Sequence, residues 1–155
     1  MHGNKNLLLT GSLGEVLRES AQTALSFIRS NASTFGLAED FFETSDIHIH
    51  IPAGAVTKEG PSAGVTIAVA MLSQLTGRSV HQNMAFSGEI SLHGDVLPVG
   101  GVREKIMAAA RAGVSTVILP EKCSQVVKQL ESEVLDGLEF KLVSRLEEVL
   151  EIALN

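Results

Sequence analysis

Between residues 65 and 75 the chain reads VTIAVAMLSQL, a run in which only Thr66, Ser73 and Gln74 interrupt the apolar side chains. The run predicts a helix that is apolar on nearly every side, and such a helix has to be covered by the rest of the chain. Other elements must therefore pack around it in layers. It is too short to be a membrane span, which needs about 20 apolar residues. A chain of 155 residues with 45% hydrophobic side chains has enough material to build that cover within one compact domain.

The flanking segments supply helices and strands in alternation. Residues 12–32 open with an S-x-x-E pattern, Ser12 and Glu15, which can cap a helix start reciprocally. They then place Val16, Leu17, Ala21, Ala24, Leu25 and Ile28 at helical spacing. An acidic and aromatic turn at 37–42 leads into DIHIHI at 46–51, where Ile47, Ile49 and Ile51 alternate with His48 and His50 as in a strand with one core face.

Beyond the apolar helix, residues 84–92 and 96–99 are expected as two extended runs joined in a hairpin by His93, Gly94 and Asp95. Gly100 and Gly101 turn the chain into an Ala-rich helix over 102–112 that stops at Gly113. A strand at 116–119 ends at Pro120, and helices at 122–130 and 146–154 flank a strand at 139–143. No repeat, linker or low-complexity tract divides the chain. The expectation is one α/β or α+β domain over 1–155, with a small mixed sheet covered by helices.

Composition narrows the function. A formal net charge of −6, no Lys/Arg cluster and no Trp or Tyr argue against a nucleic-acid surface, which needs basic stripes and stacking rings. The single cysteine, Cys123, excludes an internal disulfide and a Cys-rich zinc site, and reads as a small core residue. No secretory signal or membrane span is visible, which sets the expectation of a cytoplasmic protein. The chain has no G-x-x-x-x-G-K-[ST] loop with which to bind ATP itself.

Candidate chemistry centres on KEGPSAG, residues 58–64, immediately ahead of the apolar helix. Pro61 fixes its own backbone, Gly60 and Gly64 allow close approach, and a helix start beside Ser62 offers backbone N–H groups to an oxyanion. The same residues also suit a plain tight turn with an N-cap. A serine nucleophile needs a base, and His48, His50, His93, Lys58 and Lys105 are all candidates.

For Lys105, flanked by Val102, Ile106 and Ala109, to act near neutrality its pKa must fall from about 10.4 by about 3 pH units. That corresponds to about 4 kcal/mol against the charged form and demands a desolvated site. The competing reading places Lys105 in a solvated run with Arg103 and Glu104. A metal on His48 and His50, with Glu89 or His93 as third ligand, is a further alternative, although no spacing motif such as H-E-x-x-H accompanies it. The residues alone do not choose between these bases.

Over nearly its whole length the chain resembles the C-terminal proteolytic domain of the ATP-dependent Lon proteases, of the bacterial and mitochondrial type. The likeness is carried in order by LLLTGSLGEVLRESAQTAL, DIHIHIPAGAVTKEGPSAGVTIA, SGEISLHGDVLPVGGVREKIMAAARAG and STVILPEK. The resemblance implies that Ser62 is the nucleophile and Lys105 the general base. It implies that Ser87, where the family usually has threonine, hydrogen-bonds the lysine. Glu59 stands where many members carry aspartate, and His48 and His50 match histidines in a supporting role.

It further implies a fold shared with a ribosomal-protein domain, a homo-oligomeric ring of six subunits, and unfolded or damaged proteins as substrates. No cofactor is implied for this domain; ATP and Mg2+ belong to an ATPase module that, with the N-terminal region and the first strands of the proteolytic domain, is expected to be missing from this chain.

Overall fold

The computed structural model describes residues 1–52, 60–131 and 137–155. The 65–75 run lies within helix α2 (Gly64–Thr76), where Val65, Ile67, Ala68, Val69, Met71 and Leu72 are buried. Against it packs α1 (Glu15–Ser30), which turns Leu17, Ala21, Ala24, Leu25 and Ile28 inward. Val16 is the exception to the expected core face, being 40% exposed.

The Ser12–Glu15 cap does not form: α1 begins at Glu15 with Gly14 as its N-cap and no side-chain cap. The reason is local. Strand β1 (Leu7–Gly11) pairs in parallel with β2 (Ile47–Ile51), and Ser12 N–H continues that ladder by donating to Ile51 O at 3.3 Å. Ser12 is thus the last residue of a strand's hydrogen-bonding pattern and not the first of a helix.

The expected single mixed sheet is resolved into three pieces among the described residues. The β1–β2 pair is one. A parallel set of three has β6 (Thr116–Pro120) in the middle, flanked by β3 (Met84–Phe86) and β7 (Glu139–Val143). The third is the hairpin of β4 (Glu89–Ile90) and β5 (Val96–Leu97). Residues 84–92 therefore form no continuous strand. Ser87 N–H still donates to Ile118 O, at 3.1 Å, but Gly88 turns away to bond the start of α2, and the chain leaves one sheet for another.

Helix α3 (Val102–Arg111) follows Gly101, whose φ of 64° takes the left-handed conformation glycine tolerates. Helix α4 (Ser124–Glu131) starts after a 3₁₀ turn at Glu121–Cys123, two residues later than its pattern suggests, and α5 (Leu146–Ala153) closes the domain. Two cores result. The larger lies among α1, α2 and α5; the smaller gathers Val102, Ile106, Ala109, Val117, Leu119, Cys123, Val127 and Leu130 beneath α3 and α4. No helix among the described residues is long and apolar enough to cross a membrane.

Candidate active site

Lys105 enters the site from α3. Its backbone N–H makes the first i→i−4 bond of the helix, to Gly101 O at 3.1 Å. Val102, Ile106 and Ala109 are the buried residues of α3, and Lys105, three residues after Val102, borders that face. The aliphatic stem is half-buried beside the smaller core, whereas its neighbours Arg103 and Glu104 are exposed. The reading of Lys105 as one more member of a solvated charged run is thereby corrected: helical periodicity separates it from the two residues before it.

Among the described residues the ammonium donates to one acceptor, Ser87 Oγ at 3.2 Å. Ser87 is itself buried, 7% exposed, at the end of β3. Desolvation by burial pushes the lysine pKa below its ordinary value, and the nearby Cys123 acts weakly the other way. Among the described residues no carboxylate pairs with the ammonium. A lysine placed this way loses hydration without gaining an acid that would hold its proton, which favours the neutral amine.

Ser62 enters from a different layer. Gly60, with φ of 102°, and Pro61 lead into a 3₁₀ turn at Pro61–Ala63 that runs directly into α2. The serine thus sits at the positive end of α2, as its sequence suggests. Its carbonyl accepts from Gly88 N–H at 3.0 Å, and Val65 N–H donates to Gly88 O at 3.1 Å. The hydroxyl meets no partner among the described residues, so Ser62 and Lys105 are not hydrogen-bonded to each other in this structure. The two approach through Ser87 and Gly88, consecutive residues of which one holds the lysine and the next holds the serine backbone.

His48 and His50 are placed on the exposed face of β2, on the same side as Thr10 of β1. Thr10 Oγ1 lies 2.7 Å from His48 Nε2 and 2.9 Å from His50 Nδ1, with the rings edge to face at 6.4 Å. A hydroxyl has one proton, so it donates to one ring and accepts from the other when both are neutral. Among the described residues no three His, Cys, Asp or Glu side chains gather as a metal site. Both histidines line a groove of about 770 Å³ between β2 and α2, together with Thr66, Ala70 and Gln74; neither Ser62 nor Lys105 lines it. Glu59 and Lys58 lie outside the described residues.

Two contributors escaped the sequence reading. Thr10 was legible only as part of LLLTG, whose strand pairing is non-local. Gly88 carried a local signal, a glycine inside an otherwise extended run, which marks a bulge or a close backbone approach.

A mixed α/β domain with a half-buried lysine that pairs with no carboxylate among the described residues, and with a serine at a helix start, suits the hydrolase class, and comparison with known proteins narrows this to a peptidase. The family model for the Lon protease (S16) C-terminal proteolytic domain matches residues 1–155. The chain belongs to that family. It is 54% identical over 155 residues to a Lon protease of Syntrophus aciditrophicus, covering all of this chain and 20% of that protein. It is 53% identical over 154 residues to a Lon protease of Chloroflexus aurantiacus, covering 99% of this chain and 19% of the relative. Lon protease 1 of Bacillus subtilis is 51% identical over 152 residues, covering 98% of this chain and 20% of the relative. The chain thus spans about a fifth of the length of the curated relatives it matches.

Proposed function

We propose that the chain is the serine endopeptidase domain of an ATP-dependent protease, working through Ser62 as nucleophile and Lys105 as general base. The observation that carries this reading is the state of Lys105: half-buried, without an acid partner among the described residues, its pKa lowered by desolvation, and oriented by the Ser87 hydroxyl. Neutral Lys105 takes the proton of the Ser62 hydroxyl as its oxygen attacks the peptide carbonyl. Backbone N–H groups at the start of α2 receive the oxyanion, and protonated Lys105 then gives its proton to the departing amine, leaving a serine ester. Water, deprotonated by the same lysine, hydrolyses the ester and releases the enzyme. Ser87 can accept from the ammonium and donate to the neutral amine, so it orients the lysine in both states. His48 and His50 support the neighbouring strand pair, and Glu59 flanks the nucleophile in sequence.

The substrates are unfolded or damaged proteins, and the active assembly is a homo-oligomeric ring of six in the cytoplasm. ATP and Mg2+ serve an unfoldase module in the four-fifths of the relatives' length that this chain does not span. Support for this part comes from the family membership and from the relatives' names as Lon proteases.

The test is covalent labelling of Ser62 by a serine-directed fluorophosphonate and hydrolysis of a small peptide, each compared with Ser62→Ala and Lys105→Ala. Loss of both signals in both variants is expected; a wild-type hydrolysis rate in either sinks the assignment. A second reading, a catalytically silent domain for assembly or peptide binding, draws on the absent Ser62–Lys105 hydrogen bond. It predicts no labelling of Ser62 in the unsubstituted chain.

A further inference from the structure

We infer that Gly88 is a positioning residue that sets the placement of Ser62 relative to Lys105, because only a residue without a side chain lets the β3–β4 junction clamp the first turn of α2. The inference rests on the Ser62–Lys105 reading above.

The clamp has two points. Gly88 N–H donates to Ser62 O at 3.0 Å and Gly88 O accepts from Val65 N–H at 3.1 Å, so one residue grips both sides of Ala63 and Gly64. The preceding residue, Ser87, holds Lys105 through its hydroxyl and β6 through its N–H. Base and nucleophile are thus referenced to a single dipeptide.

Space, and not backbone conformation, demands glycine here, since Gly88 is absent from the residues with positive φ. A Cβ at Gly88 would lie 2.9 Å from Val65 Cγ2 and 2.9 Å from Val96 Cγ1, with Pro120 Cγ at 3.7 Å. Val65 is 1% exposed and Val96 6%, so neither has room to retreat. On the facing side, a Cβ at Gly64 would lie 3.0 Å from Ile90 Cγ2 and 3.1 Å from Ile90 N. The two backbones meet where both lack side chains. An added methyl at Gly88 pushes on Val65 and Val96, and through Val65 on the turn that carries Ser62, while the Lys105 contact is made by the preceding residue, Ser87.

The experiment measures the rate of Ser62 labelling by a fluorophosphonate against pH, with thermal melts and amide hydrogen exchange on the same chain. Misplacement of a reacting group by about 1 Å can cost about 100-fold, so Gly88→Ala is expected to slow labelling by about that factor with the pH midpoint unchanged. The triple variant Val65→Ala/Val96→Ala/Gly88→Ala, which removes both methyls that would be struck, is expected to recover to within a few-fold of Val65→Ala/Val96→Ala. Parental labelling in Gly88→Ala, or a triple variant as slow relative to Val65→Ala/Val96→Ala as Gly88→Ala is to the parent, overturns the proposal. Should Gly88→Ala not fold, the triple variant decides: labelling near that of Val65→Ala/Val96→Ala supports the clamp, and inertness overturns it. Absence of labelling in the unsubstituted chain overturns the dyad reading, in which case slow exchange of the Gly88 and Val65 amides still records the clamp. Fast exchange of both amides in a chain that labels overturns the clamp alone.

Discussion

His48 and His50 on β2 and Lys105 on α3 are two answers to one chemical need. Histidine is the residue type most often used as a base, yet His48 and His50 stand on an exposed strand face, sharing Thr10. The lysine has the wrong intrinsic pKa and the right surroundings: half-buried above an apolar cluster, without a carboxylate among the described residues, and fixed by a buried hydroxyl. Residue type is thus a weaker guide to a base than desolvation and a fixed partner, because an environment can move a lysine toward neutrality.

The comparison breaks first at the dyad. Ser62→Ala should abolish peptide hydrolysis and fluorophosphonate labelling. Lys105→Met should lower the hydrolysis rate by roughly 10²–10⁴-fold, the usual worth of a positioned acid–base group. A drop of that size in His48→Gln/His50→Gln, with Lys105→Met unaffected, would reverse the assignment of the base.

Next in size is the partner hydroxyl. Ser87→Ala should cost about tenfold or more in rate and shift the acid limb of the pH–rate profile, since the ammonium loses its acceptor among the described residues. Ser87→Thr should restore most of the rate, because it keeps the oxygen and adds a methyl that narrows its rotamers. Failure of threonine to rescue, measured as hydrolysis across pH 6–10, would separate space at this buried site from hydrogen bonding.

Smaller effects are expected on the other side. His48→Gln and His50→Gln should change the rate by less than about threefold, and a strong chelator should leave peptide hydrolysis unaltered. Marked inhibition by chelator would revive a metal on these histidines.

The last effect concerns stability. Burial lowers the folded-state pKa of Lys105 below its ordinary 10.5, so the unfolded chain binds more protons between the lowered value and 10.5. Stability contributed by this residue therefore rises with pH across that window, and the burial cost is fully present below it. Lys105→Met should melt at or above the parental temperature at pH 7 and flatten the alkaline slope of melting temperature against pH. A clear loss of stability at pH 7 would mean that the Ser87 contact outweighs desolvation.

Much of this arrangement could be read before any coordinates. The apolar run of α2, the Ile/His alternation of β2 and the glycine stops around α3 follow from periodicity and turn chemistry, which act locally. The family resemblance, not spacing, selected Lys105 from five candidate bases. What stayed hidden was non-local. Ser12 reads as a cap because the sequence does not show that its N–H is already engaged by Ile51. The break of residues 84–92 into two sheets is decided by the contact of Gly88 with α2, between residues far apart in sequence. Desolvation of Lys105 depends on Val117, Leu119 and Cys123 arriving beneath α3, which no local pattern around GGVREK announces.

The central position of β6 has a consequence for when the chain becomes reactive. Ser87 is pinned to β6 through Ile118 O, so the lysine's anchor is set only after a contact between strands well separated in sequence has closed. Such contacts form late and slowly compared with helices. During synthesis and refolding the serine turn and the lysine helix can each exist as secondary structure while the pair remains inert. On the proposed Ser62–Lys105 dyad, reactivity would follow from the completed topology; in a refolding experiment, labelling of Ser62 should appear with β3–β6 pairing and not with the earlier rise of helical signal.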